Sequence, residues 1–304
     1  MQTWLRVLLS VSLIVGLLGM TPPLRPSSAQ AIATSHIPPF AEGIQALEQA
    51  NYPVAYAAFT RAVQAQEQLA AAYANRCLTA LFLTHYRGAI ADCTQAIRRQ
   101  PHNPEAWVNR GVAHYRLSNY QAAIADATHV LQVAPTDVRG YVNRGLARAA
   151  LGQTVPALTD FTQAIEHTAT DDAVTLAAIY LNRGLAQATG ADLTPAIADL
   201  TQALTLDPQQ DTAYYNRGCI HARQGHYFAA IQDFDQALRL NPDRPIVQVE
   251  RAIAYYNLGN SAQAVMDLKQ ASQIFYQHGN TKAYTQAQNL LKQLYLQAAP
   301  SAIG

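Results

Sequence analysis

Arginine and aspartate recur 16 residues apart along most of the chain. A carboxylate could serve as a general acid or base, or could accept both arms of a guanidinium in a bidentate ion pair. The strict pairing favours ion pairs, because a partly buried guanidinium without a carboxylate would cost several kcal/mol. The alternative is a row of arginines that binds anions. The pairs are Arg76 and Asp92, Arg110 and Asp126, Arg144 and Asp160, Arg183 and Asp199, Arg217 and Asp233, and Arg251 and Asp267.

An asparagine directly precedes five of these arginines, and Glu250 precedes the last. The asparagines are Asn75, Asn109, Asn143, Asn182 and Asn216. An amide offers both a donor and an acceptor, which matches the N–H and C=O groups of an extended peptide backbone. The alternative is that these amides bond a neighbouring helix or solvent.

The other polar residues form no recognisable catalytic or metal-binding motif. The 9 histidines lack ligand spacing, and the nearest candidates, His221 and His226, are separated by five positions. No Cys-x-x-Cys, phosphate-binding loop or nucleophile elbow is present in the sequence. The sequence therefore predicts a protein that is not an enzyme and has neither a cofactor nor a metal site.

The composition narrows the class of partner. Of 304 residues, 50% are hydrophobic and 13% charged, and the formal net charge is +1. This is enough apolar material for a large core. Because nucleic-acid binding rests on a dense basic surface, a nearly neutral chain argues against nucleic acid and favours a protein or peptide partner.

These residues belong to a repeating unit of about 34 residues. The eighth position is small in every unit: Gly43, Cys77, Gly111, Gly145, Gly184, Gly218 and Ala252. The twentieth is always alanine: Ala55, Ala89, Ala123, Ala157, Ala196, Ala230 and Ala264. Apolar residues recur at helical spacing and proline or glycine marks the turns, so each unit is predicted to be two helices. The predicted units are 36–69, 70–103, 104–137, 138–176, 177–210, 211–244 and 245–276. The fourth unit has five extra residues near 169–174, which are predicted to lengthen its second helix or a turn.

The unit that begins at Pro104 carries Trp107, Gly111, Ala123 and Pro135 in one frame. This pattern resembles the tetratricopeptide repeat family, although Arg110 and His114 replace its usual leucine and tyrosine. The resemblance implies an all-α, right-handed α-solenoid of about seven helix-turn-helix units. It also implies that the asparagine row lines a concave groove and contacts the main chain of a bound peptide.

The repeat pattern also predicts where other residues lie. The arginine of each pair is expected to reach the aspartate of the second helix or the adjoining unit. The groove is expected to include Tyr115, Arg116, Tyr215, Arg223 and Tyr256 beside the asparagines. Cys77 and Cys93 occupy facing positions of one unit, where they are either a disulfide or two buried thiols.

The ends of the chain differ from the repeats. Residues 1–33 combine Arg6, an apolar run at 7–20 and small residues before Ala33, which is typical of a cleaved signal peptide; the alternative is an uncleaved membrane anchor. Export to the periplasm or an equivalent compartment, such as a thylakoid lumen, would follow. Residues 281–298 are predicted to form a capping helix, with a partner-binding helix as the alternative.

Together these observations predict a non-catalytic scaffold that binds an extended peptide or partner protein in its groove. Assembly of an envelope or photosynthetic complex is one role that would suit such a scaffold. The alternative is a permanent structural subunit of a membrane-associated assembly that packs through its convex face. A membrane would be a direct partner only if the leader is uncleaved.

Overall fold

The computed structural model describes residues 37–298, and this part of the chain folds into α-helices joined by short turns. The predicted signal peptide, 1–33, lies outside the described residues. The chain divides into two compact units, the first ending at Ala169 and the second beginning at Thr170.

The first unit contains four helix pairs. They are α1 (Pro39–Glu48) with α2 (Tyr52–Gln64), α3 (Leu69–Phe82) with α4 (Tyr86–Arg99), α5 (Pro104–Arg116) with α6 (Tyr120–Val133), and α7 (Val138–Ala150) with α8 (Thr154–His167). Each pair packs internally and against the next, and the first helices α3, α5 and α7 also contact one another in succession. The all-α repeat fold is therefore confirmed.

The second unit contains three further pairs and one additional helix. They are α9 (Ala173–Gln187) with α10 (Thr194–Leu206), α11 (Asp211–Arg223) with α12 (Tyr227–Leu240), and α13 (Pro245–Asn257) with α14 (Ser261–Gln277), followed by α15 (Thr281–Ala298). Helix α15 packs on α14 and buries Ala287 and Leu291. It thus covers apolar surface that the last pair would otherwise expose.

Local sequence signals explain where the helices begin and end. The side chains of Asn103 and Asp137 accept hydrogen bonds from the backbone N–H groups of Glu105 and Arg139, 3.0 and 2.9 Å away, at the starts of α5 and α7. The turn inside each pair commonly contains a residue with positive φ, which is Gly152 after α7 but Thr84 after α3. Thr84 holds a φ of 58°, a conformation that glycine adopts at lower cost.

The residues inserted before the fifth repeat extend a first helix. Helix α9 begins at Ala173, ahead of the expected unit start at 177, and Asp172 caps it by accepting a hydrogen bond from the Thr175 N–H group, 3.0 Å away. Helix α8 has 14 residues, as α6 does, so the second helix is not lengthened.

Several small residues of the eighth position face a phenylalanine ring from the second helix. A methyl group added at Gly145 would lie 2.9 Å from the Phe161 ring, and one at Gly218 would lie 2.7 Å from the Phe234 ring. At Gly111 the nearest atom would be the Asp126 Cβ, 3.4 Å away. The alanines of the twentieth position are all buried in these interfaces. The pairs therefore approach closely because small and large residues alternate across them.

Candidate functional site

The asparagines of the first unit lie at the same position of three neighbouring first helices. Asn75 is on α3, Asn109 on α5 and Asn143 on α7. Asn109 is 8% exposed, whereas Asn75 and Asn143 are more open. Among the described residues, Asn109 and Asn143 have no side-chain hydrogen-bond partner. Their amides therefore keep donors and acceptors for a molecule outside the fold.

Other asparagines bond their own helix. The Asn75 side chain donates to the Ala71 carbonyl oxygen at 3.0 Å, Asn182 donates to Ala178 at 2.7 Å, and Asn216 donates to Thr212 at 2.7 Å. Each bond spans four residues of one helix and engages a single amide N–H. Part of the amide function is thus local, which was one of the two interpretations of the sequence.

Each repeated arginine meets the aspartate 16 residues later, across its own helix pair. In the pair Arg110 and Asp126, the guanidinium Nε and Nη2 lie 2.9 and 2.7 Å from the two carboxylate oxygens. The other five pairs have closest N–O distances of 2.6 to 2.8 Å. The aspartates are buried, and the hydrogen bond with Asp92 raises the pKa of Arg76. These arginines are structural, which weakens the anion-row interpretation.

A second contact of these arginines was missed by sequence reasoning. Four of these guanidinium groups also donate to a side chain 16 residues earlier, in the second helix of the preceding pair. Arg76 reaches the Thr60 hydroxyl at 3.3 Å, and Arg110 reaches Thr94 at 3.1 Å. In the second unit the corresponding partners are Thr201 for Arg217, at 3.0 Å, and Asp235 for Arg251, at 2.6 Å. The signal was present as a threonine column at that spacing.

The ring of the aromatic residue three positions before most of these arginines lies close to the guanidinium. The Arg110 Cζ atom is 4.7 Å from the centre of the Trp107 ring, and Arg183 is 5.3 Å from Tyr180. Arg144 differs in its polar contacts, because Arg148 also binds Asp160 at 2.8 Å. The aromatic column therefore packs on the ion pairs and shields them from water.

Of the aromatic residues expected in the groove, Tyr215 is buried in the fold, which corrects that expectation, whereas Tyr115 is only partly buried. Tyr215 is 6% exposed and packs on Phe234, with Arg244 4.5 Å from its ring centre. The Tyr115 ring packs on Tyr120, and burial raises the pKa of its hydroxyl to about 12. Each ring thus contacts an aromatic ring of the second helix of its pair.

The remaining groove candidates stay at the surface. Arg116 and Arg223 are exposed, and Arg223 donates to the Ala188 carbonyl oxygen at 2.7 Å. Tyr256 is partly exposed on α13. Arg116 and Arg223 are therefore the charged groups among these groove candidates.

Glu250 occupies the asparagine position on α13 and has unusual surroundings. Burial raises the pKa of its carboxyl group to about 7. Burial, and after it the charge of Glu250, raises the pKa of the Cys219 thiol, and burial is the main cause of the raised pKa of Tyr215. The three side chains thus form one cluster between α11 and α13.

Cys77 and Cys93 form a disulfide that joins α3 to α4, whereas Cys219 is free and buried. Cys77 and Cys93 occupy the repeat positions that Gly145 and Phe161 occupy in the fourth pair, where the glycine lies against the phenylalanine ring. In the described part of the chain, no group of three or more His, Cys, Asp or Glu side chains is arranged to hold a metal. No helix between residues 37 and 298 is long and apolar enough to span a membrane.

Comparison with known proteins adds two findings. Family models described as tetratricopeptide repeat match residues 75–138, 177–210 and 212–244. A search of curated protein sequences found no significant match.

Solved structures are similar in fold. A tetratricopeptide repeat protein from Parabacteroides merdae ATCC 43184 is 16% identical with a TM-score of 0.63, covering 84% of this chain and 97% of that one. PilW, a widely conserved type IV pilus biogenesis factor, is 18% identical with a TM-score of 0.64, covering 72% and 98%. YrrB, a TPR protein with an unusual peptide-binding site, is 16% identical with a TM-score of 0.50, covering 65% and 97%. Three stretches of the chain therefore match tetratricopeptide repeats, and its helix pairs have the fold of tetratricopeptide repeat proteins.

Proposed function

We propose that the protein is a non-catalytic scaffold that binds an extended segment of a partner protein across the first helices of its first unit. The observation that carries this proposal is the pair Asn109 and Asn143. Their amides lie at equivalent positions of the neighbouring helices α5 and α7, without a hydrogen-bond partner among the described residues. Such amides can bond alternate N–H and C=O groups of an extended backbone.

The neighbouring side chains favour contact with the main chain of the segment. Val108, Val112 and Val142 are 5–8% exposed, so they offer little surface to a ligand side chain. The arginines of this face are held by aspartates and are unavailable to a carboxylate ligand. Recognition is therefore proposed to depend more on backbone hydrogen bonds than on deep side-chain pockets.

The same proposal places the protein outside the cytoplasm, in a periplasm or an equivalent compartment. Its support is the Cys77–Cys93 disulfide, because disulfides persist in oxidising compartments. In this setting the bound segment would belong to an exported or envelope-associated partner. Assembly of a complex is the role proposed for the scaffold.

A binding experiment tests the asparagine row. A photoreactive residue placed at Leu146 on α7 would crosslink a partner in the native compartment, and mass spectrometry would identify the crosslinked segment. We expect Asn109→Ala with Asn143→Ala to weaken capture by about tenfold or more, through loss of two hydrogen bonds. Asn119→Ala with Asn289→Ala, at exposed positions elsewhere, is the matched control. Equal capture by both double variants would contradict the proposal.

A further inference from the structure

The cluster around Glu250 contains a carboxyl group that the ion pairs of the repeat do not use. Glu250 lies one residue before Arg251, which bonds Asp267 and Asp235 instead. Among residues 37–298, Glu250 itself has neither a hydrogen bond nor a salt bridge. Glu250 is partly exposed, unlike the buried Val247 and Val249 beside it.

The surroundings of Glu250 are unfavourable for an isolated negative charge. On its own helix, Val247 and Ala254 are fully buried and Val249 is 5% exposed. Across from it, α11 contributes Tyr215 and Cys219, which pack in one hydrophobic cluster with Val247 and Ala254. A carboxylate in such a place is stable only when it is protonated or paired with a cation.

The cations nearest to the cluster are engaged elsewhere. Arg244 binds Asp211 at 2.9 Å and stacks on Tyr215. Arg223 donates to the Ala188 carbonyl oxygen. Hence neither Arg244 nor Arg223 forms an ion pair with Glu250.

We propose that Glu250 is a recognition site for a cationic side chain, a lysine or arginine, of an extended segment bound against α11 and α13. The proposal rests on the proposed function, since it assumes that first-helix faces bind partner segments. Lysine and arginine fit because either neutralises the carboxylate and donates hydrogen bonds to it. A divalent metal ion fits poorly, because calcium and magnesium need several oxygen ligands.

Model compounds test this site without the natural partner. N-acetyl-lysine N′-methylamide carries the ammonium group, and N-acetyl-norleucine N′-methylamide has a similar stem without it. Each is titrated into the protein with labelled isoleucine and valine methyl groups, and NMR follows Ile246, Val249 and Ile253. We expect saturable shifts with the lysine compound only, and Glu250→Gln should weaken that binding by about tenfold or more. A thermal melt establishes that Glu250→Gln is folded.

Equal binding of the two compounds, or equal binding of the lysine compound to wild type and Glu250→Gln, would overturn the site. The site would also be overturned if the lysine compound caused no NMR shifts in the wild type, or if magnesium alone saturated the site. Because one residue cannot span the asparagine row, failure here is distinct from failure of the proposed function. A different result is that the lysine compound binds at Glu250 while the Asn109 and Asn143 changes leave partner capture unaffected. That result would reject the proposed role of the asparagines and keep the Glu250 site.

Discussion

Arg110 on α5 and Asp126 on α6 form a bidentate ion pair, with the Asp126 side chain 5% exposed and that of Arg110 16% exposed. The same arginine donates to Thr94 on α4, so a single guanidinium joins three helices. Because the pair is shielded from water, its loss leaves a charge that solvent cannot fully compensate.

Asp126→Ala should therefore destabilise the protein by about 3 kcal/mol, measured as the free energy of unfolding in urea. The matched control is Glu42→Ala, which removes the exposed ion pair between Glu42 and Arg61 and should cost less than about 1 kcal/mol. An equally small effect at Asp126 would show that its ion pair does not stabilise the fold.

Replacing glycine by alanine at the eighth position should have opposite effects on stability in two of the repeats. Gly111→Ala meets its nearest atom at 3.4 Å, an ordinary contact, and should stabilise α5 by about 1 kcal/mol through helix propensity. Gly145→Ala meets the buried Phe161 ring at 2.9 Å and should destabilise by about 1–3 kcal/mol. Calorimetric melting temperatures of the two variants should move in opposite directions. If both melting temperatures rise, the buried Phe161 ring can move aside to accommodate the added methyl group.

The disulfide should stabilise the first unit by about 3 kcal/mol. Dithiothreitol should lower the melting temperature of the wild type. It should not change the melting temperature of the double variant Cys77→Ala with Cys93→Ala. Cys219→Ala should keep the sensitivity to dithiothreitol, because Cys219 is outside the disulfide. A thiol assay in denaturant, without reductant, should find one reactive thiol in the wild type; three would mean that the bond is absent.

Glu250 should make stability depend on pH. Its pKa is about 7 in the folded protein against 4.5 for an ordinary glutamate, so between these values the folded state holds a proton that the unfolded state has lost. The contribution of Glu250 to the free energy of unfolding therefore falls as pH rises from about 4.5 to about 7, then levels off.

Glu250→Gln removes this penalty and should be more stable than the wild type by up to about 3 kcal/mol at pH 8, but equally stable near pH 4. Denaturation curves across this pH range would measure the difference. Exposed Glu166→Gln should show no such trend. A constant difference between Glu250→Gln and wild type at all pH values would show that the carboxyl group is not buried in the way described.

The repeat period and the helix-pair fold could be predicted because they depend on local spacing. Gly111 and Ala123 mark where two helices approach, and every unit has a small residue at the first of these positions and alanine at the second. The relation between Arg110 and Asp126 could be inferred from joint occurrence, because an unpaired charge at either position would be costly.

Other features depend on side-chain packing, which spacing does not determine. Tyr215 shares the face expected to line the groove, yet its ring turns toward Phe234. Asn75 and Asn216 fold back onto their own helix, an option that any helical asparagine has and that sequence cannot decide. Thr94 was overlooked because a hydroxyl is common on helix surfaces, and only its distance from Arg110 reveals its role.

The triple contact of Thr94, Arg110 and Asp126 also bears on how such a chain could lengthen during evolution. The repeat that contains Arg110 carries the arginine and its aspartate, and the repeat before it carries the threonine that accepts from this arginine. Duplication of one 34-residue gene segment would therefore copy donor and acceptors together. The new repeat could join its neighbours through the existing polar contacts, without compensating mutations elsewhere.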